Sequence, residues 1–171
     1  MQFRTALLFI ALSLVAVVTL FLLLLATDTA LSVWQRLREA LQNGVFSALC
    51  SDHQPHEPDA KLGPFPSTEP GISGLDTLLP LGLRLVNEHA LDLGELIHRL
   101  TCGPAGILGL PYGTLSIGAT ADICIFNPEL NWQLDTHSMR SNGHNTPFMG
   151  WEMQGRVTHT LLNGELVYSL D

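Results

Sequence analysis

The sequence has 171 residues, which is enough for one domain with a core of its own. Its net charge is −8 and it contains only 8 Lys and Arg side chains, which disfavours a nucleic-acid-binding surface. The three cysteines, Cys50, Cys102 and Cys124, lie far apart, so they form neither a CxxC motif nor a disulfide framework.

The first 27 residues are predicted to form a separate apolar helix. Residues 6–26 carry no charged side chain, and at a rise of about 1.5 Å per residue a helix of this length crosses a bilayer. Arg4 precedes the apolar residues, which favours an N-terminus on the inner side of a membrane. Two interpretations stay open, a membrane anchor and a start that is foreign to the domain behind it.

The next stretch is predicted to be an amphipathic helix followed by a short strand. Apolar side chains recur at helical spacing over residues 27–43, and Asn43-Gly44 is a typical helix end. Residues 45–49 are a short apolar run that indicates a buried strand. Residues 51–73 then form a loop rich in Pro, Gly, Asp and Glu, and loops of this length are usually functional.

Two further helices are expected after the loop. Leucines recur on one helical face over residues 74–88 and again over residues 92–102. Gly103-Pro104 is expected to break the chain before a helical turn at residues 105–108.

The last third of the sequence changes to a β pattern. Residues 113–118 and 121–126 are predicted strands, the second closed by Asn127-Pro128, and residues 129–150 are expected to be irregular. Residues 156–169 predict a hairpin, because Asn-Gly between two β-rich runs is a strong turn signal.

Asp52, His53 and His56 are the strongest candidates for chemistry. They follow the predicted strand at residues 45–49, and in a (β/α) barrel the carboxyl ends of the strands carry the active site. A carboxylate and two imidazoles can bind a metal, move protons or hold an anion. From residue types alone, a partial metal site and an ordinary exposed loop both stay open. The sequence contains neither a phosphate-binding loop nor a dinucleotide fingerprint.

Short motifs occur along the chain in an order that is itself informative. They are Ser51-Asp-His-Gln-Pro-His56, Pro64-Phe65, Glu69-Pro-Gly-Ile-Ser-Gly74, Leu78-Leu-Pro-Leu81, Leu100-Thr101, Gly103-Pro-Ala105, Gly113-Thr-Leu, Ala121-Asp122 and Asn145-Thr-Pro-Phe148 followed by Gly150. Each motif is weak alone. As an ordered set over about 130 residues, they resemble the C-terminal part of dihydroorotases, members of the cyclic amidohydrolase family.

The resemblance implies an α/β fold, namely the C-terminal fragment of an amidohydrolase (β/α) barrel with part of its flanking β-sandwich. Such a barrel typically needs about 250 residues, so this chain can hold only its end. The implied organisation is an apolar helix at residues 1–27, the last strand and helices of the barrel at residues 28–110, and a composite β-sandwich module at residues 111–171.

The resemblance also implies roles for individual residues. Dihydroorotases are zinc-dependent hydrolases of pyrimidine biosynthesis that interconvert dihydroorotate and carbamoyl aspartate. By motif position, Asp52 is the last-strand aspartate that touches the metal and moves a proton between hydroxide and the leaving nitrogen. His56 is expected to bind the substrate carboxylate, and Pro70 and Gly71 to approach the substrate through backbone groups. For His53 we expect only a structural hydrogen bond.

The chain also departs from the family pattern. No residue corresponds to the family's H-x-H pair, its bridging Lys or its two further His ligands, and Gln54 stands where active members often have Ala. We therefore expect this chain alone not to bind zinc and to be inactive by itself. The alternative is a non-catalytic structural subunit that supports aspartate carbamoyltransferase. The family implies a cytoplasmic location, and the alternative is a membrane anchor through residues 6–26.

Overall fold

The computed structural model describes residues 32–170, and contacts divide the chain into two units between Val45 and Phe46. In the first unit, helix α1 occupies residues 32–42 of the described part, as the apolar spacing predicts. Gly44 adopts a φ of 73°, and the Val45 N–H donates to the Ala40 carbonyl over 2.9 Å, which is a Schellman end. The predicted end at Asn43-Gly44 is confirmed.

The predicted apolar helix at residues 6–26 lies outside the described residues. Over residues 32–170, none of the helices combines the length and the apolar character that a membrane span requires. The predicted domain boundaries at 27/28 and 110/111 stay predictions.

The second unit contains three helices and three strands. The helices are α2 (Leu78–Asn87), α3 (Leu93–Leu100) and α4 (Cys102–Leu108). The strands are β1 (Ile123–Gln133), β2 (Glu152–Leu162) and β3 (Glu165–Ser169), which pair antiparallel in the order β1-β2-β3. Helix α2 packs against β2, and α3 contacts both α2 and α4.

Helix starts differ from the predicted ones for reasons of local chemistry. Helix α2 begins at Leu78 rather than at residue 74, because a proline is tolerated only in the first turn and Pro80 is its third residue. Asp92 caps α3 by accepting the Glu95 N–H over 2.8 Å. Helix α4 already begins at Cys102, so Gly103-Pro104 lies in its first turn, and the break falls at Thr101.

The sheet confirms one β prediction and corrects two others. The hairpin forms around Asn163-Gly164, both with positive φ, as its two-residue turn requires. The predicted strand at residues 113–118 is wrong, since these residues form no ladder. Asn127-Pro128 does not close β1. The strand continues to Gln133 across a register shift between Asn127 and Asn131, because a bulge absorbs the proline.

The predicted strand at residues 45–49 is not formed. These residues have no regular secondary structure, and the Leu49 N–H donates to the carbonyl of Arg99 in α3 rather than to a neighbouring strand. A buried parallel strand needs ladder partners on both sides. Over residues 32–170 the only strands are those of the antiparallel sheet, which forms a single layer rather than the two layers of a sandwich.

A small apolar core beside the sheet anchors the segment that follows β1, and this segment also contacts the loop at residues 51–73. Leu134, Met139 and Met153 are buried, and Trp132 and Phe148 pack against them. Phe148 also lines a cleft of about 250 Å³ together with Ser51 and Ile72 of the loop. The segment that follows β1 is therefore anchored in the core at one end and lies against the loop at the other.

Asp135 links the stability of this segment to pH. Its Oδ1 accepts the backbone N–H of Ser138 over 2.7 Å and that of His137 over 2.9 Å, and these bonds hold the pKa of Asp135 below its usual value of 3.8. A lowered folded pKa gives stability that is present above the unfolded pKa and is lost as the pH falls through the folded one.

We therefore expect Asp135→Asn to make unfolding less dependent on pH in the acid range. Urea unfolding of both proteins between about pH 7 and about pH 3 should show the larger loss of stability in the wild type. The exposed Asp59 provides the matched control, Asp59→Asn. An Asp135→Asn profile that parallels the wild-type profile over this range would contradict the expectation.

Candidate functional site

The site loop, residues 51–74, folds back on itself so that its two ends lie side by side. We call residues 52–56 its first arm and residues 70–74 its second arm. His53 and Ile72 form an isolated parallel bridge, and the Gln54 N–H donates to the Ile72 carbonyl over 2.8 Å. The loop between the arms contains two short 3-10 turns, Pro58–Lys61 and Phe65–Ser67.

The side chain of Lys61 connects the middle of the site loop to its second arm. Its ammonium group donates to the Gly71 carbonyl over 2.8 Å and also to the Glu69 carbonyl. Lys61 is the only lysine of the chain, so one positive charge lies next to the second arm. The sequence placed Lys61 in the loop but did not indicate this contact.

Asn145 connects both arms to the segment that follows β1. Its side-chain Oδ1 accepts the His56 N–H over 2.8 Å, and its Nδ2 donates to the Gln54 carbonyl over 3.0 Å. The same Nδ2 is 3.5 Å from the Gly71 carbonyl, and the Asn145 carbonyl accepts the Ser73 N–H over 3.2 Å. One half-buried amide residue therefore fixes the spacing of the two arms.

Three predicted site residues meet at this junction. The His56 Nε2 atom lies 3.2 Å from the Pro70 carbonyl oxygen. Since a carbonyl can only accept, Nε2 must carry the proton and Nδ1 is left for another partner. The Pro70 and Gly71 carbonyls are already engaged, whereas the Gly71 N–H makes no hydrogen bond to the described residues.

Asp52, the fourth predicted residue, lies on the exposed side of the first arm. Its φ is 43°, in the left-handed region, which aspartate and asparagine adopt more readily than most other residues. Its N–H points to the Cys50 sulfur at 3.4 Å, and its Oδ1 accepts from the Gln54 Nε2 over 3.2 Å. The structure thus joins Asp52 to the other predicted residues through Gln54.

His53 has the structural role that the sequence suggested. Its Nδ1 accepts the backbone N–H groups of Gly74 and Leu75, each over 3.2 Å. This nitrogen therefore carries no proton, and the ring holds the end of the second arm to the first. The ring fixes the point from which the chain turns toward α2.

The contribution of Asn145 could not be found from spacing. It lies 91 positions after Gln54 and 74 after Gly71, and no local pattern links an asparagine to carbonyls so far away. The only sequence signal was its place in the motif Asn145-Thr-Pro-Phe148. Gln54 carried a signal as a departure from the family pattern, without a predicted contact.

The donor set does not make up a zinc centre. A catalytic zinc takes about three protein ligands. Within the part of the chain that the structure describes, no three His, Cys, Asp or Glu side chains converge as metal ligands. Asp52 can supply one ligand at most, and one of its oxygens already accepts from Gln54.

A wide cleft elsewhere in the second unit does not contain these residues. It has a volume of about 680 Å³ and lies between α2, α3 and β1, with a largely apolar lining that includes Leu78, Ile97 and Phe126. Its lining also includes the polar residues His98, Thr101 and Asp122, but none of the four site residues that the motifs predict. The site loop carries all four of these residues and is therefore the candidate site.

Comparison with known proteins adds independent information. The amidohydrolase family profile matches residues 12–167. A dihydroorotase-like protein of Pseudomonas aeruginosa is 49% identical over 134 residues, which cover 78% of this chain and 31% of that protein. A dihydroorotase of Syntrophotalea carbinolica is 46% identical over 136 residues, covering 80% of this chain and 32% of that protein.

Two solved structures have a fold similar to that of this chain over most of its length. The L-hydantoinase (dihydropyrimidinase) from Arthrobacter aurescens is 31% identical, with a TM-score of 0.71, over 80% of this chain and 32% of that chain. The dihydropyrimidinase from Brevibacillus agri is 27% identical, with a TM-score of 0.69, over 78% and 30%. The chain thus spans less than a third of the length of the solved structures that it resembles.

Proposed function

The chain belongs to the amidohydrolase family as a dihydroorotase-like member, and on this basis we propose that its site loop contributes to a site for dihydroorotate or carbamoyl aspartate in pyrimidine biosynthesis. The fold is that of a fragment of the amidohydrolase fold. Because the chain covers 31% and 32% of the lengths of the two relatives, the proposal concerns only the share of the site that this loop would supply.

The observation that supports the proposal is the junction of His56 with Pro70. The two residues are 14 positions apart, yet the ring contacts the carbonyl over 3.2 Å while Asn145 holds both arms. A ring so fixed is preorganised, which lowers the entropic cost of binding a ligand. The neighbouring Lys61 ammonium adds a positive charge that favours an anion.

His56 would hold a carboxylate of the ligand through Nδ1. Its Nε2 proton is already donated to Pro70, so a carboxylate at Nδ1 requires a second ring proton. The Gly71 N–H would donate to the same ligand.

Asp52 would act on the opposite side of the ligand as the group that moves a proton. A carboxylate can take a proton from an attacking water and return it to the leaving nitrogen. The family's zinc would activate that water, but its ligands are not complete among the described residues. Asp52 can therefore serve the reaction only in a complete site.

We expect the full chain to bind carbamoyl aspartate and dihydroorotate weakly, with a Kd of roughly 1 mM. His56→Ala should weaken binding by about tenfold or more, because a hydrogen bond to a charged group is lost. Calorimetric titration with each ligand measures the affinity. The exposed His98 of α3 provides the control variant, His98→Ala.

The proposal predicts two results together. His56→Ala should bind both ligands more weakly than the wild type does, and His98→Ala should bind as the wild type does. If the wild type and His56→Ala bind both ligands with the same affinity, the site loop is not the carboxylate site.

A second candidate function is a non-catalytic subunit that supports aspartate carbamoyltransferase. It is supported by Gln54, which stands where active members of the family often have Ala, and by the 49% identity to a Pseudomonas aeruginosa relative that is called a dihydroorotase-like protein. The test is co-purification of the full chain with aspartate carbamoyltransferase and a gain in that enzyme's activity. If the purified chain reproducibly hydrolyses dihydroorotate without a partner, this alternative is contradicted.

The proposed location is the cytoplasm, as the family resemblance implies. The alternative, an anchor through residues 6–26, stays a prediction. Cells that express the full chain, with and without residues 6–26, can be separated into membrane and soluble fractions. The fraction that contains each protein distinguishes a membrane anchor from a cytoplasmic location.

A further inference from the structure

Gln54 lies on the first arm, and two hydrogen bonds of its backbone hold it in place. Its N–H donates to the Ile72 carbonyl over 2.8 Å, and its carbonyl accepts from the Asn145 Nδ2 over 3.0 Å. Both bonds involve the backbone, so they orient the residue whatever its side chain is. The half-buried side chain therefore extends from an anchored point into the junction described above.

The side chain covers the open face of Gly71. A Cβ atom built on Gly71 would lie 2.5 Å from the Cβ, Cδ and Oε1 atoms of Gln54. Non-bonded carbon atoms normally stay about 3.5–4.0 Å apart. The space that the absent side chain of Gly71 leaves open is thus filled by Gln54, and a ligand cannot use it while Gln54 stays there.

The end of the same side chain engages Asp52. The Gln54 Nε2 donates to the Asp52 Oδ1 over 3.2 Å, and this is the only side-chain hydrogen bond that the Asp52 carboxylate makes to the described residues. Gln54 therefore contacts two of the four predicted site residues at once. The two contacts support each other, because a side chain held at Asp52 cannot turn away from Gly71.

We propose that Gln54 determines the ligand specificity of this site by obstructing it. The inference rests on the proposed function: the side chain occupies the face of Gly71 that a cyclic ligand such as dihydroorotate would approach, and it holds the Asp52 carboxylate in the closed arrangement. Carbamoyl aspartate is an open chain that can bend around Gln54 to reach His56, whereas the rigid ring of dihydroorotate cannot. The site loop of this chain thus favours carbamoyl aspartate over dihydroorotate.

Two variants separate the two contacts. Gln54→Ala removes the Cδ and Oε1 atoms that cover Gly71 and the hydrogen bond to Asp52, and leaves Cβ in place. Gln54→Met keeps an unbranched side chain of about the same length without a hydrogen-bond donor, so the bond to Asp52 is lost while an apolar chain stays next to Gly71. Neither variant removes the backbone bonds to Ile72 and Asn145. Gln35, exposed on α1, provides the control variant Gln35→Ala.

The experiment is calorimetric titration of each full-length variant with dihydroorotate and with carbamoyl aspartate. We expect Gln54→Ala to bind dihydroorotate about tenfold more tightly than the wild type does, Gln54→Met to gain less, and Gln35→Ala to gain nothing. Circular dichroism of every variant checks that the fold is kept. His56→Ala combined with Gln54→Ala should lose the gain.

The outcomes distinguish this inference from the proposed function. If the wild type binds through His56 but Gln54→Ala binds dihydroorotate no more tightly, only the obstruction by Gln54 is disproved. A weaker affinity in Gln54→Ala also overturns it and makes Gln54 a ligand-binding residue instead. If no variant binds either ligand in a manner that depends on His56, the proposed function fails and this inference fails with it.

Discussion

Asn145→Asp is expected to lower the free energy of unfolding by about 2–3 kcal/mol and to separate the two arms of the site loop. The substitution keeps the size of the side chain and an oxygen that can accept the His56 N–H. It replaces the Nδ2 donor by a second oxygen that faces the Gln54 and Gly71 carbonyls, 3.0 Å and 3.5 Å away. Two attractive contacts become repulsive ones.

The structure also predicts which backbone amides the Asn145→Asp substitution affects. Amide hydrogen exchange should become faster at Gln54, whose N–H donates to the Ile72 carbonyl of the other arm, and at Ser73, whose N–H donates to the Asn145 carbonyl. Exchange within β2 and β3 should change less, because these strands pair with each other and do not depend on the loop. Urea unfolding followed by circular dichroism measures the global loss.

The control for the charge is Asn131→Asp. Asn131 is exposed on β1 and undergoes the same change of net charge without facing carbonyl groups of the loop. It should alter the free energy of unfolding by less than about 0.5 kcal/mol. A loss in Asn145→Asp no greater than in Asn131→Asp would mean that Asn145 does not hold the arms.

The elements that could be predicted from the sequence have their causes within a few residues. Asn163-Gly164 specifies a two-residue turn, Asn43-Gly44 ends α1, and Asp92 caps α3. In each case the side chain or the glycine acts on backbone groups less than one helical turn away. The periodicity of apolar residues then needs only to give the type of the element.

The predictions that were wrong depended on distant partners. Residues 45–49 have the composition of a strand, but a strand exists only if another strand pairs with it, and the described chain supplies none there. Asn127-Pro128 has the composition of a strand end, but pairing with β2 carries β1 past it. Composition does not reveal which partner is present.

The candidate site also has a part that the sequence predicts and a part that depends on distant contacts. The motifs identified Asp52, His56, Pro70 and Gly71, and the structure brings three of these together. The groups that position them, Asn145 and Gln54, act through contacts that no spacing rule contains. The binding experiments with His56→Ala and Gln54→Ala test the roles predicted for this site.

Gly143→Ala is expected to destabilise the protein by about 2–3 kcal/mol through a contact, without backbone strain. Gly143 is buried, and its φ lies outside the left-handed region, so alanine can adopt its conformation. A Cβ atom there would lie 2.5 Å from the Pro55 Cβ and 2.7 Å from the His56 nitrogen. The segment must then move away from the first arm by about 1 Å to restore normal contacts.

That displacement removes the bond between Asn145 and His56, since Asn145 follows Gly143 by two residues and accepts the His56 N–H over 2.8 Å. Gly106→Ala in α4 is the matched control, because a Cβ there meets nothing within 4 Å. In a helix this change should stabilise by about 0.5–1 kcal/mol. The two Gly-to-Ala changes are thus expected to have opposite signs in urea unfolding.

A double-mutant cycle tests whether the two residues act through one junction. If Gly143→Ala already breaks the bonds of Asn145, then adding Asn145→Asp should cost less than it does in the wild type, with a coupling of about 1–2 kcal/mol. Combining Asn145→Asp with Gly106→Ala should be additive within about 0.5 kcal/mol. Additive losses for Gly143→Ala and Asn145→Asp would mean that the close approach at Pro55 and the amide contacts stabilise the loop independently.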